Sequence, residues 1–368
     1  MVIKGFKDFC YTGNYGELII SDIDDDVLLE IARMSTDEVL ISELYAPDKT
    51  GFIRINGIGK VLQAHILLNE LSFGPARMQV LNLSFRLKNR EGEVLHEATQ
   101  KVAYSRGYAV FGGEQQNFDR FISRYNMKHT TEHRQELVSF FCNGQVPAYA
   151  IAYRDEDQIK VMGHKLETCT VADAIETMDF SISTIIARAQ KEIQLTILPE
   201  DIIYYDAILY REEVVIDRIR FWKDETPGLK ETSFLYYSLL GTPETVTFTG
   251  KQETADELNG EYAYLRGTYK KYTQNIVEPR KVNSGYIDRM TLMSIRDMLS
   301  SPVVNIYNNG VIEDEVVITE VDFRRKEPNN EPVAVTITYR KASELQEEFK
   351  REDYDEGIFV NTFETTFV

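Results

Sequence analysis

Cysteine is scarce in this chain. Cys10, Cys142 and Cys169 are odd in number, widely spaced and outside any C-x-x-C arrangement. That usage predicts no disulfide framework and folding in a reducing cytosol. Long hydrophobic runs are missing too, and no stretch approaches the ~20 apolar residues of a membrane-spanning helix. The N-terminus, Met1-Val2-Ile3-Lys4-Gly5-Phe6-Lys7-Asp8, lacks an apolar core region and a small-residue cleavage site, so no signal peptide is expected. Positive charge is in deficit: 41 Lys and Arg face 59 Asp and Glu, a formal net charge of −18. A field of that sign repels phosphate backbones, and no compact Lys/Arg stripe offsets it, so no nucleic-acid partner is expected. Anionic membrane surfaces are disfavoured by the same repulsion, and no membrane insertion is expected.

Catalytic signatures are equally sparse. The chain has no G-x-x-x-x-G-K-[ST] loop, no dinucleotide-binding glycine fingerprint after a strand and no G-x-S-x-G elbow. The expectation is a non-enzymatic protein without cofactors.

What is present is a globular composition, 43% hydrophobic and 27% charged, in a chain long enough for two or three domains. The 21 Tyr and 19 Phe favour strands, because aromatic side chains fit a pleated, half-buried surface. Strand-like runs at 17–20, 27–34, 38–45, 52–55 and 80–85 and a returning run at 93–104 surround a short helical pattern at 59–68, where Val61, Leu62, His65 and Ile66 share a face. A second set of strands is read at 146–153, 158–162, 191–198 and 213–222, with a turn at Pro199-Glu200-Asp201. Strands at 245–249 and 268–277 then precede a helix over 286–300, with Asn283 or Ser284 as its cap and Pro302 as its stop. Runs at 303–307, 311–323 and 333–340 complete a β-meander, the first pair joined through Asn309-Gly310. The predicted fold is mainly β: two β-sandwich-like domains (1–106 and 107–225), a C-terminal α+β domain with a β-meander (226–345), and an acidic segment with an apolar arm (346–368). Junctions are placed at 107–113 and 224–230, and a turn at 326–332. Phe359, Val360, Phe363 and Phe367 make the arm β-prone, and an exposed segment of that kind invites strand pairing with a neighbouring subunit. Packing on its own chain is the equal alternative.

Three constellations invite chemistry. His129-Thr-Thr-Glu132-His133 matches the H-x-x-E-H of inverted zinc peptidases, which needs both histidines on one helix face and a third ligand further on. Thr130 and Thr131 are poor helix formers, so a polar inter-domain loop is the default and no metal is expected. Asp22-Ile-Asp24-Asp25-Asp26 begins like a calcium loop, but an EF-hand needs Gly at position six and Glu at position twelve, where this chain has Val27 and Arg33. A solvated acidic turn is the default over an irregular calcium site. Tyr204-Tyr205, Tyr236-Tyr237 and Tyr262 with Tyr264 could line a glycan-binding or subunit-binding surface, with strand packing as the default. Asp155, Glu156 and Asp157 carry no weight as a glycosidase pair in so acidic a chain.

The C-terminal third resembles a known group through 234–247 (Phe-Leu-Tyr-Tyr-Ser-Leu-Leu-Gly-Thr-Pro-Glu-Thr-Val-Thr), Asn283-Ser-Gly-Tyr286 and its helix, Ser300-Ser-Pro-Val-Val304, Ile318-Thr-Glu-Val-Asp322 and 334–340 (Ala-Val-Thr-Ile-Thr-Tyr-Arg). This pattern resembles the tail-tip and baseplate structural proteins of tailed bacteriophages and prophages of gut bacteria, over residues 230–345. The resemblance implies a homo-oligomeric ring that contacts other tail proteins, assembled in the host cytoplasm and located in the virion, with no catalytic residues. The alternatives are a β-sandwich module binding host glycan or host-surface protein and a zinc hydrolase at His129, Glu132 and His133.

Overall fold

The computed structural model describes residues 1–343 except 67–73, 77–78, 108–118, 168, 172–173, 225–230, 255–256, 309 and 325–332. The two expected junctions therefore fall largely outside the described residues. The turn at 326–332 and the whole C-terminal arm, with Phe359, Val360, Phe363 and Phe367, also lie outside them. The chain is mainly β, with three α-helices among the described residues.

The first segment contains β1 (Val2–Lys4), β2 (Phe9–Tyr11), β3 (Leu18–Ser21), β4 (Val27–Arg33), β5 (Val39–Tyr45), β6 (Ile53–Ile55), α1 (Ile58–His65), β7 (Gly74–Ala76), β8 (Val80–Lys88) and β9 (Val94–Ala103). Two sheets form, ordered β1-β3-β6 and β2-β9-β8-β4-β5. The alternation in β4 explains the arrangement: Val27, Leu29 and Ile31 point into the core, while Leu28 and Glu30 lie on the half-buried face. Leu18, Ile20 and Ile55 from the small sheet meet Leu29, Leu83 and Phe85 from the large one, and Leu62 of α1 joins them. These two sheets around a shared core make the sandwich-like layering expected from the sequence.

The second segment contains β10 (Met127–Thr130), β11 (Leu137–Phe141), β12 (Gln145–Asp155), β13 (Gln158–Lys165), β14 (Ile175–Asp179), α2 (Ile182–Ile193), β15 (Ile202–Arg211) and β16 (Val214–Lys223). Its main sheet runs β10-β16-β15-β12-β13. Helix α2 lays Ile182, Ile185 and Ala189 against Tyr149, Ile151, Tyr205 and Phe221 of that sheet. The strand expected at 191–198 is corrected here. Its first residues are the last turn of α2, which Gln194 ends in the left-handed region at φ 55°. Its remainder enters the short 3₁₀ turn Pro199–Asp201. Apolar residues at 193, 195 and 197 alternate, but they follow a helix face spaced three and four residues apart, and that longer period decides the fold. Strand β7 of the first segment pairs with β14, which pairs with β11.

The cysteine expectation is also corrected. Cys142 and Cys169 form a disulfide with a Cα–Cα distance of 5.6 Å across 27 positions, and Cys10 is buried and free. An odd count rules out complete pairing but not one pair, and the fold brings the end of β11 to the segment after β13. Glu176 lies beside the pair, 3.7 Å from the Cys142 sulfur.

The third segment contains β17 (Thr232–Tyr237), β18 (Pro243–Phe248), β19 (Gln252–Thr254), β20 (Glu257–Leu265), β21 (Thr268–Val277), β22 (Arg280–Asn283), α3 (Arg289–Leu299), β23 (Val304–Asn308), β24 (Val311–Arg324) and β25 (Ala334–Lys341). A seven-stranded sheet runs β18-β17-β23-β24-β25-β22-β19. The expected meander is β23-β24-β25, with α3 before it, and Ile295 and Met298 of α3 pack on Phe234, Val246 and Ile337. The helix cap differs from expectation: Asp288 Oδ1 accepts the Thr291 N–H at 2.6 Å. Asn283 and Ser284 are committed elsewhere, Asn283 Oδ1 to the Gly285 N–H and Ser284 Oγ to the Val335 N–H. Among the described residues, strands β20 and β21 pair only with each other, in a two-stranded sheet of their own.

Candidate functional site

The H-x-x-E-H residues do not share a helix. His129 lies on β10, which pairs in parallel with β16, and its Nδ1 sits 2.8 Å from Asp224 Oδ1. Glu132 and His133 follow in a turn, and the intervening Thr130 and Thr131 are buried. The expected polar loop is thus a strand end and a turn. Among the described residues, the metal-ligand atoms that gather within 4.8 Å belong to Cys142, Cys169 and Glu176, and both sulfurs there are spent in the disulfide.

The acidic turn is solvated as expected: Asp22, Asp24 and Asp25 are exposed, and Asp26 is held by Arg90. The tyrosine pairs divide. Tyr205, Tyr236 and Tyr237 are buried strand residues. Tyr204 lies under the Arg220 guanidinium at 4.0 Å, and Arg220 in turn makes a two-pronged bond to Asp206 at 2.7 and 2.9 Å. Tyr264 is strongly exposed, with Tyr269 beside it at a ring distance of 5.0 Å, and the side chain of Tyr262 lies outside the described residues.

One cleft stands out where the second and third segments meet. It is lined by Lys128, His129, Gln135 and Glu136 from one side and by Thr245, Thr247, Thr291 and Ser294 from the other. Its cavity volume is about 50 Å³. That admits a few waters but falls far short of the ~300 Å³ or more of a small-molecule site.

Around this cleft the sequence buries three carboxylates that composition alone did not single out: Glu136, Glu244 and Asp297. Each has a structural reason. Glu244 sits on β18, where every residue is buried. Its Oε2 is 3.5 Å from the Tyr236 hydroxyl, and its Oε1 has no partner. Burial pushes the carboxyl up to about 6, with Asp297 adding to the rise and Lys128 and Arg124 opposing it. Burial also raises Glu136, whose Oε2 lies 3.9 Å from Lys128 Nζ, and Asp297.

Asp297 is a bolt between segments. Its Oδ1 accepts from Arg106 Nη2 at 3.1 Å and its Oδ2 from the Leu239 N–H at 2.9 Å. Arg106 N–H reaches the Leu239 carbonyl at 2.8 Å. Thr245 Oγ1 donates to the Gln135 carbonyl at 2.5 Å. Gly241 is needed here, because its φ is +78° and an added Cβ would lie 2.4 Å from the Tyr104 ring. The joint thus presents shifted acids, but each shift arises chiefly from desolvation. Chemically it locks segments together.

A different kind of site lies on the far edge of the second sheet. All eight residues of β13 are exposed, and among the described residues its one strand partner is β12. Ile159, Val161 and Met162 are 66%, 58% and 43% exposed. A long, apolar edge of this kind presents unpaired backbone groups to any chain that can add a strand.

No protein-family model matches the chain, and no curated protein matches it.

Proposed function

We propose that this chain is a non-enzymatic structural component of a phage or prophage tail, in the tail tip or baseplate, whose copies join by strand addition. The free β13 edge is the acceptor, and the apolar, β-prone residues 357–368 of a neighbouring copy are the donor. The exposure of every β13 residue is the observation that carries this reading. Native sheets usually blunt or cover such an edge, and β13 keeps only Lys160 and Lys165 as charges, each paired to an acid of its own chain. The glycan-binding alternative is weakened by the burial of Tyr205, Tyr236 and Tyr237.

Sedimentation velocity tests the reading on three proteins: the full chain, a form lacking 357–368, and Ile159→Lys/Val161→Lys. The full chain should form discrete oligomers, and both altered forms should sediment as smaller species with unchanged far-UV spectra. A full chain that stays monomeric at high concentration refutes assembly. Oligomers that survive both changes refute the strand-addition route.

A further inference from the structure

We infer that the tip of the β20–β21 hairpin is a second assembly contact, which docks by its tyrosines and cations on an acidic face of another copy of this chain. The inference rests on the assembly reading above and adds a surface to it. Strands β20 and β21 are nine and ten residues long and extend about 30 Å at ~3.3 Å per residue. A two-stranded hairpin is marginal in water without a third strand or a packed face, so an additional surface would stabilise this one.

The tip is well specified. Arg266 and Gly267 have φ of 53° and 83°, the two positive values that a type I′ turn requires. Leu265 and Thr268 flank the turn, and Tyr264 opposes Tyr269 at the next position. Cross-strand side chains meet there, and the two rings lie 5.0 Å apart at 62°. Pairing the rings against each other does not bury them, since they remain 65% and 78% exposed. Paired tyrosines of this kind, rigid and amphipathic, are typical anchors of protein interfaces.

Charge selects the partner. Residues 262–272 hold four tyrosines with Arg266, Lys270 and Lys271 and no acid, in a chain whose net charge is −18. Arg266 and Lys270 are exposed at the tip. A cationic, aromatic finger on a strongly acidic body is complementary to a second such body. Among the described residues, an exposed acid run it could meet is the turn with Asp22, Asp24 and Asp25. The same strong negative field disfavours a nucleic-acid or anionic-lipid partner, because the body behind the finger repels both.

The experiment compares the full chain with Tyr264→Ala/Tyr269→Ala, Arg266→Glu/Lys270→Glu and Asp24→Lys/Asp25→Lys by sedimentation velocity at low and high salt. All four residues at the tip are exposed, so the melting temperatures of the tip variants should match that of the full chain. The tyrosine variant should weaken self-association about tenfold or more. The Glu variant should do so at low salt with little further loss at high salt. Mixing the Glu variant with the Lys variant should restore part of the association. Tip variants that assemble like the full chain overturn the inference, and they leave strand addition standing if deletion of 357–368 still dissolves the oligomers. A monomeric full chain removes both. Binding of a fluorescent 20-nucleotide single strand, or of phosphatidylglycerol vesicles, that is lost in the Glu variant would assign the tip to that partner and also overturn the inference.

Discussion

Replacing Glu244 with glutamine should stabilise the chain at neutral pH and leave it unchanged in mild acid. Glu244 is buried among β18 residues, one carboxylate oxygen has no partner, and its pKa is raised from an ordinary 4.5 to about 6. The folded chain therefore binds more proton than the unfolded chain between those values. A carboxyl raised in this way contributes its stability fully below about 4.5 and loses it as pH rises through 6. A rise from 4.5 to about 6, at 1.36 kcal/mol for each tenfold change in proton affinity, sets the loss at about 2 kcal/mol by neutral pH. Glutamine removes the ionisation and keeps the shape. The difference between Glu244→Gln and the unaltered chain should grow from near zero at about pH 4.5 to about 2 kcal/mol at about pH 7.5. Glu136 and Asp297, also raised by burial, titrate in both proteins and largely cancel. Urea denaturation followed by circular dichroism across that range provides the measurement. A difference that stays flat with pH, or a glutamine form that is less stable at pH 7.5, refutes the reasoning that β18 buries an ionisable acid at this joint.

Arg106→Ala should cost about 3–5 kcal/mol, because it leaves Asp297 buried without its guanidinium. Adding Asp297→Asn should recover part of that loss, and urea midpoints of the single and double variants measure both. Gly241→Ala should cost about 1–3 kcal/mol through a left-handed backbone and a Cβ set against Tyr104, so a variant melting with the unaltered chain refutes that turn. Cys169→Ser should lower stability by about 3–4 kcal/mol, since the disulfide closes a loop across 27 positions. Thiol labelling of the unfolded, unreduced chain should find one free thiol, Cys10, and three would refute the pairing.

The strands of the first segment were legible because their burial follows the local pattern. In β4, Val27, Leu29 and Ile31 alternate with partners that face outward, and a single sequence suffices to assign such a face. The meander was legible for the same reason, helped by Gly310 at φ 80° in its first turn. Where period-2 and helical patterns adjoin, as at Ile182 to Ile197, the alternation at the helix end was misleading. Strand β15 is illegible in the sequence although it holds Tyr205, Ala207 and Leu209 at the centre of the core. It lies between two other strands and is buried on both faces over much of its length, so it has little alternation to show. The disulfide was hidden because cysteine pairing depends on distance in space, which the count of three does not encode.

The joint was the least legible part, and the reason is general. Fifty-nine acids in one chain make any single Glu or Asp uninformative, and what distinguishes Glu136, Glu244 and Asp297 is that neighbouring segments close over them. That closure is set by contacts of long sequence separation, Arg106 to Asp297 and Gln135 to Thr245. The His129 motif erred in the opposite direction. Its spacing is informative only on a helix, where residues four apart share a face. On β10 the same letters divide between a strand and a turn, and Asp224 takes the His129 ring. A motif therefore carries chemistry only together with the secondary structure that gives its spacing meaning. By that standard the tip of the β20–β21 hairpin is better grounded than H-x-x-E-H, because the register that sets Tyr264 against Tyr269 is itself fixed by a two-residue turn.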